Sequence, residues 1–407
     1  MQLVAVIAAA LAAGSPAPVV AGVTPDGGSG STMLAARDPL TLAPIGPALA
    51  VDEFHSGPSV SPDGKLAAIG MSSPPPPGVT AIGRVGLQIV DVVSMRVVHH
   101  VQTGIAAEDV AFVGPRRVAA LLQGGAVVLV DARTGAISRR GAEPRGASGA
   151  AGDAAGHATG DATGRTAGGA TGHAAAGLAS GSDCFVHAAT APGVFAVAQS
   201  AGGGSGTAAV RLTVAGASGG LRSIALAGLR TRGCAEPAVA IDAAHRRILV
   251  ATAGSTVAEV ALGGVQLHAR YHPLRGGRLA GTRTNATIWR GDLVVGARGA
   301  GVRVVDTATW KVRTLDRRAD ATTVAGGALY LFDGPTSRDL PRGAGLRIVR
   351  PGHPDRRRFG TTQVSAVDPA GGRLYARVGR ALHVLEPATG DTLASPSLGA
   401  ARLRLGD

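Results

Sequence analysis

The sequence predicts an all-β protein assembled from repeated four-stranded sheets, and three observations predict it. A pattern of short strands and turns recurs about seven times, at a period of roughly 35 to 50 residues. Glycine is abundant, with 62 residues in a chain of 407, and glycine marks turns and bulges. Apolar residues make up 45% and aromatics only 3%, so any core is mostly Val, Ala, Leu and Ile, without long runs at helical spacing.

The repeat is a strand, a tight turn, a second strand, a Gly turn, a third strand ending in an acid, a Thr-Gly-like corner and a last strand. Its first copy opens at Val60-Ser61-Pro62-Asp63-Gly64 and runs to Val101. Pro62 fixes φ and Gly64 accepts a positive φ, which sets the first turn. The second copy spans Val110 to Arg140, with VVLVDARTGAISRR as its second half. A weaker copy covers Cys184 to Leu226. Further copies begin at Val239, Thr287, Thr322 and Val364, the last ending at Leu393. Asp131, Asp306 and Glu386 close third strands; Thr134-Gly135 and Thr389-Gly390 turn the chain into the outer strand. One sheet cannot bury both of its faces alone. Sheets stacked around an axis bury them and leave only short edges, so the expected architecture is a β-propeller of seven four-stranded blades. Paired β-sandwiches also show short strands with frequent turns, but they do not repeat an Asp-x-x-Thr-Gly corner at matched offsets.

On VSPDGKLAAIG, VVLVDARTGAISRR, VRVVDTATWKVRTL and LHVLEPATGDTL the chain resembles seven-bladed bacterial propellers of the YVTN-repeat and quinoprotein-like (WD40-like) type, over most of 51 to 407. The resemblance implies a ring closed by mixing strands from both chain ends in one blade, with Leu49–Phe54 and Ala400–Leu405 as the strands to supply it. It specifies a blade and no chemistry. Quinone-cofactor relatives use repeated tryptophan docking motifs, whereas this chain has two tryptophans, Trp289 and Trp310, and only Trp310 falls near such a position. Sugar-lactone hydrolases of this shape use carboxylates, Asn and His around a central metal. Here there is a single Asn, Asn285, with Glu53, Asp109, Glu236 and Asp368 near strand starts as the acids that point at an axis.

The ends of the chain bear on compartment. Leu3 to Ala13 is an apolar run too short to span a bilayer, followed by small residues at Ala12-Ala13-Gly14 and Val20-Ala21-Gly22. It is read as a secretory signal over 1–22, then a Gly/Pro/Ser-rich linker over 23–48, then the propeller over 49–407. No Lys or Arg precedes the run, and no second segment approaches membrane-spanning length. Export makes Cys184 and Cys234 a disulfide candidate, since each lies near the start of successive repeats. Residues 141–182 hold almost no large apolar side chain and are expected as a disordered Gly/Ala-rich insertion between the second and third blades; His157, His173, Asp153 and Asp161 within it lack preorganised metal geometry. Pro74 to Pro77 forms a polyproline spur.

The formal net charge is +13, carried almost wholly by arginine, with Lys65 and Lys311 the two lysines. Arginines spread evenly through an Ala/Gly-rich, Asn-poor chain follow from a GC-rich genome, and no basic stripe interleaved with aromatics marks a nucleic-acid surface. Ser205 in a Gly-rich turn is not a nucleophile elbow, and phosphate-loop, zinc and heme-attachment patterns are absent. His99 and His100 are adjacent on a strand and face opposite ways. Asn285-Ala286-Thr287 matches a glycosylation sequon by chance. The expectation is an extracytoplasmic, monomeric binding or scaffold protein, more an adaptor than an enzyme. No catalytic, metal or cofactor residues are assigned, and the partner is a protein, peptide or cell-envelope component and not nucleic acid. The alternative is a metal-dependent hydrolase or oxidoreductase working in the central channel.

Overall fold

A computed structural model of the chain describes residues 18–24, 32–51, 57–71, 85–140, 186–200, 207–218, 220–232, 237–263, 266–279, 282–334, 343–397 and 402–405. These residues form a ring of eight four-stranded antiparallel sheets. The first blade holds β1 (Val19–Thr24), β2 (Thr32–Arg37) and β3 (Pro44–Val51). The second holds β4 (Ser59–Val60), β5 (Leu66–Met71), β6 (Gly86–Asp91) and β7 (Arg96–Gln102). The third holds β8 (Ala107–Gly114), β9 (Arg117–Leu122), β10 (Val127–Asp131) and β11 (Ile137–Arg140). The fourth holds β12 (Val186–Ala191), β13 (Val194–Ser200), β14 (Thr207–Gly216) and β15 (Leu221–Arg232). The fifth holds β16 (Ala238–Asp242), β17 (Arg247–Ala251), β18 (Thr256–Ala261) and β19 (Ala269–Pro273). The sixth holds β20 (Thr282–Trp289), β21 (Asp292–Arg298), β22 (Gly301–Val305) and β23 (Val312–Asp316). The seventh holds β24 (Ala321–Ala325), β25 (Ala328–Phe332), β26 (Leu346–Val349) and β27 (Arg356–Arg358). The eighth holds β28 (Val364–Ala370), β29 (Arg373–Val378), β30 (Ala381–Leu385) and β31 (Thr392–Ala394), after which β32 (Arg402–Leu405) returns to the first blade.

Strand parity explains the ring. Successive side chains of a strand point to opposite faces. In VAALL of β9, Val118, Ala120 and Leu122 pack toward the second blade, while Ala119 and Leu121 pack toward the fourth. The same alternation gives eight buried apolar clusters among the described residues, one at each junction between neighbouring blades. Alanine and valine dominate them, which accounts for the low aromatic content.

Seven of the eight blades are the seven repeats read from the sequence; the expected count of seven is corrected by the one they omit. Its strands come from both ends of the chain. β32 pairs with β1, placing Ala21 opposite Leu405 and Val23 opposite Leu403. Leu49, Ala50 and Val51 lie in β3, the outermost strand of that blade, so they are not the direct partner of the C-terminal strand. The linker expected over 23–48 is instead occupied by the end of β1, all of β2 and most of β3. The signal boundary expected at residue 22 falls inside β1. Val19 packs toward the eighth blade and Val20 toward the second, and Tyr375 of the eighth blade donates its hydroxyl to the Pro39 carbonyl at 2.8 Å.

The corner between third and fourth strands is the most regular local device. Asp131 Oδ1 accepts the N–H groups of Arg133 and Thr134 at 2.9 and 3.0 Å. Asp306 does the same for Ala308 and Thr309, and Asp38 for Leu40 and Thr41. Asp91 receives Ser94 at 2.7 Å. The fifth residue of each corner is left-handed: Leu42, Met95, Gly135, Trp310 and Gly390 have φ of 57, 48, 70, 58 and 71°. Asp38-Pro39-Leu40-Thr41 is therefore the corner of the blade missing from the repeat count.

Burial alone would raise the Asp131 carboxyl, but the N–H and hydroxyl groups of Thr134 and the N–H of Arg133 outweigh it and hold it below the usual carboxylate range. A group with a depressed folded value stabilises above its unfolded value and loses that contribution as pH falls through the folded one. Asp131→Ala should cost about 1 kcal/mol at neutral pH. Urea melts should show the difference at pH 7 and show it shrinking as pH falls through and below the usual carboxylate range.

Candidate functional site

The first strands of the blades surround the axis and leave a central channel of about 1530 Å³. It reaches the face that carries the turns between first and second strands, at Pro62–Gly64, Pro192, Gly326 and Gly371–Gly372. Those turns are short, often two residues.

The channel wall is stitched across blade boundaries. Ser59 Oγ accepts the Phe112 N–H at 2.9 Å, joining second and third blades. Asn285 Nδ2 donates to the Thr322 carbonyl at 2.7 Å, joining sixth and seventh. Asn285 Oδ1 packs so closely on Gly296 that a Cβ there would lie 2.5 Å from it and 2.6 Å from the Asp320 carbonyl. The sequon residue is thus half-buried on an innermost strand.

Most of the lining is Gly, Pro, Ala and Val, with Phe112 and Phe332 as the aromatic residues. The charged side chains on it are Asp63, Asp109, Asp368 and Arg373. Asp63 accepts the Ser61 hydroxyl at 2.7 Å, which, against partial burial, holds its carboxyl below the usual range. Arg373 Nη1 lies 3.4 Å from Glu386 Oε2. Three acids against one base give the channel a local charge opposite in sign to the +13 of the whole chain.

Of the four acids expected to face the axis, Asp109 and Asp368 line the channel. Glu53 and Glu236 lie outside the described residues, as do Cys184 and Cys234, Ser205, Pro74–Pro77 and the 141–182 insertion. Sequence reasoning treated Asp63 as a turn residue and passed over Arg373. Asp63 does set the turn, and the turn happens to sit at the channel mouth. Among the described residues no group of three His, Cys, Asp or Glu side chains is placed to hold a metal ion.

Other polar groups are built into blade junctions. His99 reaches the Arg133 carbonyl of the third blade at 2.6 Å through Nε2, while His100 turns to Gln88. Trp289 Nε1 donates to the Gly327 carbonyl. Trp310, left-handed at its corner, stacks on His272 with ring centroids 3.8 Å apart and planes 8° apart. His272 Nε2 lies 2.8 Å from Glu259, and Arg247 ties the nearly buried Asp242 to Thr307 of the next blade. Asp333 is fully buried, and burial pushes its carboxyl above the usual range although it accepts the N–H groups of Ala344 and Val364 at 2.5 and 2.8 Å. Sequence patterning gave no signal for this blade-to-blade tie.

The fold and channel define an all-β propeller of eight blades. Solved structures share that architecture. Dihydro-heme d1 dehydrogenase NirN, in complex with DHE, matches with a TM-score of 0.55 and 15% identity over 94% of this chain and 74% of that one. Apo AztD from Citrobacter koseri matches with a TM-score of 0.55 and 10% identity over 96% of this chain and 97% of that one. At these identities the likeness is one of fold. No protein-family model matches the sequence, and no curated protein matches it.

Gly296→Ala should destabilise the protein by about 1 to 3 kcal/mol, because the new methyl meets Asn285 and the backbone of the seventh blade. Denaturant titration of the variant measures it.

Proposed function

We propose that this is an exported β-propeller of the YVTN-like kind that binds a protein, peptide or cell-envelope component at its axial channel. The observation that carries the reading is the channel itself. It is wide, lined mostly by small and apolar residues and walled by innermost strands, with Asp63, Asp109, Asp368 and Arg373 as its charged groups. Ligand sites are typically concave, largely apolar and preformed, with a small number of orienting polar groups. Its volume exceeds the roughly 300–1,000 Å³ of drug-sized pockets, which favours an elongated or bulky ligand. The acids on its lining favour a ligand that is neutral or positively charged. Export is supported by the apolar Leu3–Ala13 run.

A second reading keeps Asp63, Asp109 and Asp368 as acids of a metal-dependent hydrolase or oxidoreductase. Elemental analysis of the purified protein separates the two: a stoichiometric bound metal favours the second. For the first, binding is screened on arrays of peptides and cell-wall fragments. Ala325 lines the channel and is half-buried, so Ala325→Trp should abolish the binding found, while Arg357→Ala at the outer rim leaves it intact. Binding that survives Ala325→Trp contradicts a channel site.

The reading also includes a Cys184–Cys234 disulfide between the fourth and fifth blades. The exported protein should then resist thiol alkylation until it is reduced. Two thiols that alkylate readily in the unfolded, unreduced chain would rule the bond out.

A further inference from the structure

We propose that the leader is cut after Gly14 and not after Gly22, an inference that rests on the export reading. The sequence offers both sites, Ala12-Ala13-Gly14 and Val20-Ala21-Gly22, each with small residues where a signal peptidase reads them. The peptidase meets an extended chain during export, so folding does not hide the second site. What separates the two is the chain each cut leaves behind.

A cut after Gly22 removes Val19, Val20, Ala21 and Gly22, four of the six residues of β1. β1 is hydrogen-bonded on both sides. Its lost residues pair with Arg37, Ala36, Ala35 and Leu34 of β2, and Ala21 and Gly22 also pair with Leu405 and Arg404 of β32. Only Val23 and Thr24 would remain to hold the C-terminal strand. Val19, Val20 and Ala21 are 2, 5 and 0% exposed. Val19 belongs to the cluster joining first and eighth blades, Val20 to the one joining first and second. The Arg37 guanidinium also donates to the Ala21 carbonyl and would lose that acceptor from a buried site. The downstream cut thus opens both junctions of the closing blade and exposes Leu34 and Ala36 at its centre.

A cut after Gly14 leaves all of β1 and a short stub ahead of it. Pro18 is half-buried and lines the mouth of the channel. Among the described residues, this cut removes no packed side chain and no β1 pairing. The structure assigns the upstream site because it is the one of the two that preserves the ring.

The test uses the full chain with its own leader, expressed in a bacterial host and recovered from the exported fraction. N-terminal sequencing and intact mass should give Ser15 as the first residue. The full-length Gly14→Phe variant, with a bulky side chain at the position before the cut, should yield no chain beginning at Ser15: it keeps its leader, or it is cut after Gly22 and is then recovered with a lower unfolding midpoint than the wild type. An exported wild-type chain beginning at Val23, or a Gly14→Phe chain processed like the wild type, overturns the assignment while leaving export intact. A wild-type chain that stays in the cytoplasm and begins at Met1 overturns the export reading, and this cut with it.

Discussion

Every sheet in this protein is apolar on both faces, and the rest of the structure follows from the need to cover both. A free sheet with two apolar faces has no stable arrangement in water, since burying apolar surface is the dominant favourable term in folding. Each blade here is covered by its two neighbours, which is satisfied everywhere only if the array closes on itself. The eight junction clusters are that requirement made visible. Closure falls to the first blade, where β1 holds β2 on one side and β32 on the other. The first and last described strands meet in one sheet, which closes the ring of blades.

Polar chemistry is fitted around this apolar plan. Acids at the Asp-x-x-Thr corners satisfy backbone N–H groups locally, and the left-handed fifth residue lets the chain turn into the outer strand. Where that residue is Leu42, Met95 or Trp310, an unfavourable backbone is offset by burying or stacking a large side chain. Arginine serves the junctions too. In the Arg356-Arg357-Arg358 strand, the outer two pair with Asp391 of the eighth blade and the middle one with Asp316 of the sixth. Arg347 joins Asp316 at 2.8 Å and Asp355 at 2.5 Å. Partly exposed pairs of this kind each add little stability, but they show how a run of three positive charges can be absorbed by strand alternation.

Seven blades were legible because Val-rich strands and an acid-closed corner recur within each contiguous stretch. The eighth was not, because its inner strand is the last element of the chain and its others are rich in Ala and Pro, as in TMLAAR and PIGPALAV. Its corner was nonetheless written in Asp38 and Thr41, with Leu42 where Gly135 and Gly390 stand in other blades. Of the site, Asp109 and Asp368 could be placed near the axis because each lies in the first strand of its repeat. Asp63 and Arg373 could not, since whether a turn residue faces a channel or solvent depends on how many blades surround it. A tie such as Asp333 to Val364 depends on a contact between blades and leaves no local pattern.

The ring closes in the first blade, so the account stands on the clasp between β1 and β32. Ala21 and Leu405 are opposite one another there. A full chain carrying Ala21→Cys and Leu405→Cys, with Cys184 and Cys234 replaced by Ser, tests it under mild oxidation. The account predicts an intramolecular crosslink in the monomer and a higher unfolding midpoint than the reduced form. A chain that folds and stays uncrosslinked, or crosslinks only between molecules, would contradict it.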